Sequence, residues 1–300
     1  MRALGIIEKR YSWLLVSALM VVVAIIALSF WQLKFGIDFT GGSLLEVAYS
    51  DVRPSLENLT GTLERTGIKD AEIKPSGEKG VIFRFKTVDE PTHQALIAEL
   101  KKEDSGLVER SFDSIGPVIG SELKQKSIFA VVLALLMILL YISFVFRKVS
   151  FPVASWKYGT CAIIALFHDL LFVLGIFAFL GHFAGIEINS SFIPAFLTVL
   201  GFSVHDTIVV FDRVRENLTK FRGEFEDIVN KSLNETIVRS INTSMTVILV
   251  LLAIYLFGGE TIKTFSLALL LGIAIGTYSS IFVASPMLVV WNEQEAKRRK

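Results

Sequence analysis

Six apolar runs, each close to 20 residues or longer, divide this chain, and one long polar stretch separates the first from the second. The runs cover residues 13–33, 128–146, 158–180, 192–211, 237–257 and 265–290. A helix of about 20 apolar residues crosses the hydrocarbon of a bilayer, so the pattern predicts six transmembrane helices. Arg2, Lys9 and Arg10 precede the first run, and Trp31-Gln32-Leu33-Lys34 closes it. It has no short apolar core ahead of a small-residue cleavage site, so it reads as an uncleaved span, not a signal peptide.

Residues 35–125 follow a different rhythm, with frequent charges and no run long enough to span. A strand is predicted over 44–49 and a helix over 54–66, with Leu56, Leu59 and Leu63 on one face. Two short strands follow, 71–74 and 81–86, around a turn at Pro75-Ser76-Gly77-Glu78. A second helix over 91–103 turns Ala95, Leu96 and Leu100 inward, and a last strand covers 107–112. The order βαββαβ predicts a small ferredoxin-like domain. The fold class is therefore an α-helical integral membrane protein with six transmembrane helices and one small α+β extracytoplasmic domain. The expected divisions are 1–34 (tail and first helix), 35–125 (outer domain), 126–292 (helices two to six) and 293–300 (basic tail). Within the third division, 212–236 reads as a charged, amphipathic cytoplasmic segment.

Composition agrees: 52% of the 300 residues are hydrophobic. A net charge of +1 gives no reason to expect nucleic acid. Cys161 is the lone cysteine, so no intrachain disulfide can form. The N-terminal tail, the 147–157 loop, the 212–235 loop and the C-terminal Lys297-Arg298-Arg299-Lys300 are basic, whereas 181–191 has no Lys or Arg and 258–264 has only Lys263. By the positive-inside rule both termini are cytoplasmic and 35–125 lies outside.

The chemistry to explain is Asp206, inside the fourth run. A carboxylate in hydrocarbon costs at least a few kcal/mol, so one that is kept is commonly functional. It lies seven residues before Arg213, about 10 Å deep at 1.5 Å per residue. The bland alternative is a polar residue that merely bonds a neighbouring helix. Arg239, near the inner end of the fifth helix, is within plausible reach as a cation for Asp206, or is an ordinary positive-inside anchor. His168-Asp169 in the third helix and His205-Asp206 in the fourth repeat one dipeptide. Adjacent helical residues point about 100° apart, which argues against one ion held by both members and for a polar lining or relay of His168, Asp169 and His205. No metal and no cofactor is implied. Ala268, Gly272, Gly276 and Ser280 form a four-residue stripe of small side chains suited to close helix packing. The loop Phe35-Gly36-Ile37-Asp38-Phe39-Thr40-Gly41-Gly42-Ser43 lacks a phosphate-binding lysine and reads as a tight connection. No nucleophile-base arrangement in a plausible setting appears, so an enzyme is not expected.

Four stretches together resemble the SecD/SecF family of the bacterial protein-export machinery, within the resistance-nodulation-division superfamily. They are Phe35 to Gly42 (with Gly36, Asp38, Gly41 and Gly42), Ile115 to Leu123 (with Gly116, Pro117 and Gly120), Gly201 to Asn217, and Gly272 to Ser280 with Gly276. The third is similar to the signature of the family's SecF branch. The resemblance implies work with SecD beside the SecYEG channel and SecA, with YajC and YidC as further partners. Protons and exported polypeptide would be the species handled, and the proton-motive force would promote late-stage translocation. It also implies that Asp206 and Arg239 are the residues tied to proton flow, and that a partner supplies the other half of the fold. His205 stands where relatives commonly have Asn, Phe211 is bulky where some are small, and the 212–235 loop is slightly shorter than in some. The competing readings are a proton-driven exporter of small molecules or lipids, and a scaffold in which Asp206 only packs.

Overall fold

The computed structural model describes residues 4–145 and 153–299. The chain runs through a 3-10 turn (Ile7–Lys9), α1 (Arg10–Trp31), α2 (Ile37–Thr40), β1 (Gly42–Ala48), α3 (Leu56–Arg65), β2 (Glu72–Ser76), β3 (Gly80–Phe85), α4 (Glu90–Glu103), β4 (Val108–Ile115), α5 (Pro117–Val145), α6 (Ser155–Phe183), α7 (Phe192–Lys220), α8 (Phe225–Phe257), α9 (Glu260–Ser279), a π-helical turn (Ser280–Ala284) and α10 (Ser285–Arg299). It forms two compact units, Met1–Lys34 with Phe129–Lys300, and Phe35–Ile128.

In the smaller unit, alternation builds the sheet. Leu45 and Val47 of β1 and Val81, Phe83 and Phe85 of β3 point into the core, where Leu59 and Leu63 of α3 and Leu96 and Leu100 of α4 meet them. The sheet is antiparallel in the order β2-β3-β1-β4, the ferredoxin-like topology predicted from the element order. Ser55 caps α3 by accepting from the Asn58 N–H, and Asp89 caps α4 by accepting from the Thr92 N–H at 3.2 Å. Several boundaries differ from expectation by one to three residues, and one of these shifts moves a turn. Pro75 and Ser76 belong to β2, and the turn starts at Gly77, whose φ is +65°. An edge strand tolerates proline because its outward N–H has no ladder partner to lose.

The glycine-rich connection also resolves in this unit. Gly36 precedes α2, Asp38 sits in its first turn, and Gly41 and Gly42 follow with φ of +74° and +132°. A Cβ on Gly41 would lie 2.7 Å from the Pro117 Cα, and one on Gly120 would lie 2.9 Å from the Gly41 nitrogen. The first two sequence motifs therefore pack backbone against backbone, and glycine is required there for the approach. Gly116 meets nothing within 4 Å.

The larger unit is helical. Among the described residues six helices are long and apolar enough to cross a membrane: Ile7–Trp31, Pro117–Val145, Trp156–Phe183, Phe192–Lys220, Phe225–Phe257 and Ile262–Arg298. The protein is a multi-pass membrane protein. α9 packs against α6, α7 and α8, and α1 lies along α6. The small-residue stripe makes these approaches possible. A Cβ on Gly272 would stand 2.1 Å from Val199 Cγ2, and one on Gly276 would stand 2.9 Å from Ser203 Cβ.

The expected amphipathic surface segment near 212–235 is not a separate element. α7 continues to Lys220 and α8 begins at Phe225, so both spanning helices run on past their apolar stretches. Arg213 donates to Glu235 at 2.6 Å, and Asn217 donates to Ser232 at 2.9 Å and to Glu235 at 2.7 Å. These bonds join the two extensions, which is why the charged sequence stays helical. The residues before α1 dock on the α8 extension, where Leu4 donates its N–H to Asn234, Ile6 and Ile7 donate theirs to Asn230 and Arg10 pairs with Glu226; Arg10 also pairs with Glu293 of α10. Arg147 and Lys148 lie outside the described residues.

Candidate functional site

Two aspartates stand in the middle of membrane helices. Asp206 is midway along α7 and Asp169 midway along α6. Both are buried, Asp169 completely. A carboxyl so placed must be met by donors or stay neutral.

The donors are serines. Asp206 accepts from Ser240 of α8 at 2.6 Å on Oδ1, and from Ser280 at the start of the π-helical turn at 2.7 Å on Oδ2. Asp169 accepts from Ser203 of α7 at 2.6 Å and from Ser279 of α9 at 2.7 Å, both on Oδ2. The two carboxyls thus draw on adjacent hydroxyls at the α9–π-turn junction, and each on one further serine, from α7 for Asp169 and from α8 for Asp206. Ser279 adjoins Ser280, and Ser203 lies three residues before Asp206 on α7. The π turn bears on this placement. It inserts a residue into the helical ladder after Ser279, Ser285 donates its hydroxyl to the Ser280 carbonyl at 3.0 Å, and π bulges concentrate at functional sites. A further hydroxyl pair, Ser244 with Thr277, ties α8 to α9 beside this layer.

His168 joins the Asp169 cluster. Its Nδ1 lies 3.0 Å from Asp169 Oδ1, so the dipeptide converges although its Cα–Cβ bonds diverge. Side-chain torsions close the gap that the 100° step opens. The ring stacks beside Tyr278, whose hydroxyl meets the Ser17 hydroxyl of α1 at 3.0 Å.

Two expected participants are not brought to this layer. Arg239 is exposed, and among the described residues its side chain forms no hydrogen bond or ion pair, with Asp206 or any other group. The reason is helical phase. Its neighbour Ser240 faces the bundle, so Arg239, one residue earlier, turns about 100° away. His205 is exposed for the same reason, one residue before buried Asp206. Of the expected relay, His168 and Asp169 meet and His205 does not.

Midway carboxyls held by hydroxyls, a tight small-residue helix pair and a βαββαβ unit together characterise this multi-pass membrane protein. The matching family models name the class. The "Protein export membrane protein SecD/SecF, C-terminal" model covers residues 95–294, and the "SecD/SecF GG Motif" model covers residues 27–51. The chain belongs to the SecD/SecF family of protein export membrane proteins. It is 47% identical over 309 residues to the protein translocase subunit SecF of Thermobaculum terrenum, covering 98% of this chain and 96% of that one. It is 40% identical to the SecF of Anaerolinea thermophila, covering 97% of this chain and 95% of the relative. The crystal structure of SecDF from Thermus thermophilus, described as a translocon-associated membrane protein, superposes with a TM-score of 0.83 at 30% identity over 96% of this chain. This chain spans 38% of the length of that SecDF chain.

Proposed function

We propose that this chain is the SecF half of a proton-driven accessory complex for protein export. Its partner is a SecD-type chain that completes the transporter fold, next to SecYEG and SecA, with YajC and YidC in contact. In this reading the protein lies in the bacterial cytoplasmic membrane with both termini cytoplasmic and the βαββαβ unit outside. It uses the proton-motive force to draw polypeptide through in the late stage of translocation. Family membership and the near full-length SecF relatives support the export role over a small-molecule or lipid exporter.

The observation that carries the proton coupling is the Asp206 carboxyl, bridged to Ser240 and Ser280 on two other helical segments. A hydroxyl both donates and accepts, so the two serines can serve an ionised carboxylate or a neutral acid. Changing the charge of Asp206 changes which of those bonds are strong, and therefore the preferred spacing of α7, α8 and α9. Charge-assisted bonds are roughly twice as strong as neutral ones. A difference of a few kcal/mol between two packings is enough to shift their populations. Arg239, on the exposed face of α8, supplies the cation of the pathway toward the partner half. Neither residue performs bond chemistry, so no enzymatic activity belongs to this reading.

The test is Asp206→Asn in membrane vesicles, following late-stage export of a model preprotein with and without a proton gradient. Loss of gradient stimulation with the complex intact supports the proposal. Retained stimulation with normal amounts of protein contradicts it and leaves Asp206 as a packing residue in a scaffold.

A further inference from the structure

Asp169 is more deeply buried than Asp206, and the role given to Asp206 leaves it without a task. Three groups converge on it: Ser203 Oγ at 2.6 Å, Ser279 Oγ at 2.7 Å and His168 Nδ1 at 3.0 Å. Asp206 is met by two serines only, whereas Asp169 has a third partner. The third partner is titratable, and His168 is itself buried, 4% exposed. Its outer nitrogen, Nε2, has no hydrogen-bond partner among the described residues. A buried polar atom left unsatisfied costs about 1–3 kcal/mol, so its retention asks for a reason. An imidazole with one nitrogen on a carboxyl and the other open is built to pass a proton.

The remaining surroundings bear on the charge. α9 presents Tyr278 beside the ring, and α1 presents Ser17, which meets the Tyr278 hydroxyl. α7 presents Asp206, three residues beyond Ser203; i,i+3 neighbours on a helix have Cβ atoms about 5–6 Å apart. Charged side chains where α1, α6 and α10 meet pair with one another, Arg10 of α1 with Glu293 of α10 and Lys157 of α6 with Glu295 of α10. No cation therefore offsets Asp169 and Asp206 in this layer among the described residues other than a protonated His168. The Asp169 and Asp206 carboxyls hang from the adjacent hydroxyls of Ser279 and Ser280, so a change at one bears on the hydrogen bonds of the other.

We propose that Asp169 is a second proton-carrying carboxyl of this unit, loaded through His168 and coupled to Asp206 across the Ser279–Ser280 step. A proton binding Nε2 makes the ring cationic. The ring then gives its Nδ1 proton to Asp169 Oδ1, which leaves a neutral imidazole carrying hydrogen on Nε2 and a neutral carboxylic acid. One proton has moved from water to Asp169, and the serine hydroxyls rotate to suit. The inference rests on the proton-coupling role of Asp206 and gives that role a second station.

The experiment is infrared difference spectroscopy of the full chain, reconstituted with its SecD-type partner and stepped in pH. Two carboxyl C=O bands are expected. Asp169→Asn removes one and moves the titration midpoint of the other. His168→Gln keeps both, but slows the appearance of the Asp169 band after a pH jump by about tenfold, equivalent to a barrier about 1.4 kcal/mol higher. Ser279→Ala, which retains the carboxyl should Asp169→Asn fail to assemble, shifts the frequency of the Asp169 band alone. A carboxyl spectrum untouched by Asp169→Asn, or by Ser279→Ala, overturns the second station. An unchanged rate in His168→Gln overturns the loading route. Vesicle export separates this from failure of the underlying reading: if Asp206→Asn leaves gradient stimulation intact, the coupling role of Asp206 is what has failed.

Discussion

The two units of this protein are ordered by opposite means. The βαββαβ unit works in water and hides apolar side chains; Leu45, Val47, Leu59, Val81, Phe83, Leu96 and Leu100 have no exposed surface at all. The helical unit works in hydrocarbon, where burying another leucine gains little, and its interior is marked instead by small residues and paired polar groups. Ser203, Asp206, Ser240, Ser244, Thr277, Ser279 and Ser280 are all buried there. The first arrangement yields a rigid core that tolerates no loss of volume. The second yields a seam held by hydrogen bonds between hydroxyls and carboxyls.

The strongest way to break the contrast is to remove volume from the small unit. Phe83→Ala should cost about 3–5 kcal/mol, the usual penalty for emptying a fully buried phenylalanine site. Hydrogen exchange in the full chain should show β1 and β3 opening while α7 and α9 stay protected. Adding volume is the corresponding injury to the helical unit. Gly272→Val would place its Cβ on Val199 and should cost about 1–3 kcal/mol in detergent unfolding, partly recovered by Val199→Ala. No loss in Gly272→Val alone would show that the α7–α9 contact is loose.

Smaller effects sharpen the contrast further. Ser280→Ala removes one donor from Asp206, and an interhelical hydrogen bond in a membrane protein averages about 0.6 kcal/mol. Melting should therefore barely move while gradient-stimulated export falls, a dissociation not expected if Asp206 only packs. The smallest effect is electrostatic and confined to the small unit. Asp89 accepts from Thr92 and Asp104 accepts from Ser50 and Gly106, and these bonds hold both carboxyls below the ordinary aspartate value. Their contribution is present above the unfolded value, near pH 4, and is lost as pH falls through the lower folded values. Acid titration followed by the exchange of α4 should show a modest loosening below about pH 4, absent in Asp89→Asn combined with Asp104→Asn.

Much of the fold was legible in the sequence because both environments write periodic patterns. Twenty-residue apolar runs revealed the spans, and the short strands and helices in the order βαββαβ revealed the sheet. The ends were less legible. Charged residues beyond Phe211 suggested a surface segment, whereas paired extensions such as Arg213 with Glu235 keep α7 and α8 helical in water. At the site, Asp206 and Asp169 announced themselves by cost. Their serine partners did not, since a serine in a membrane helix is cheap and common. Ser240 was further masked by Arg239, the more conspicuous neighbour, which helical phase turns outward. Spacing on α7 offered one usable signal: Val199, Ser203 and Asp206 match Gly272, Gly276 and Ser280 across the seam.

The most direct test of the central claim is gradient-driven proton flux through proteoliposomes containing the full chain and its SecD-type partner. If the Asp206 carboxyl is the switch, Asp206→Asn lowers flux to that of empty vesicles while the complex remains assembled, Ser240→Ala with Ser280→Ala falls between, and Asp206→Glu restores part of it. Flux in Asp206→Asn equal to that of the unaltered protein would contradict the account.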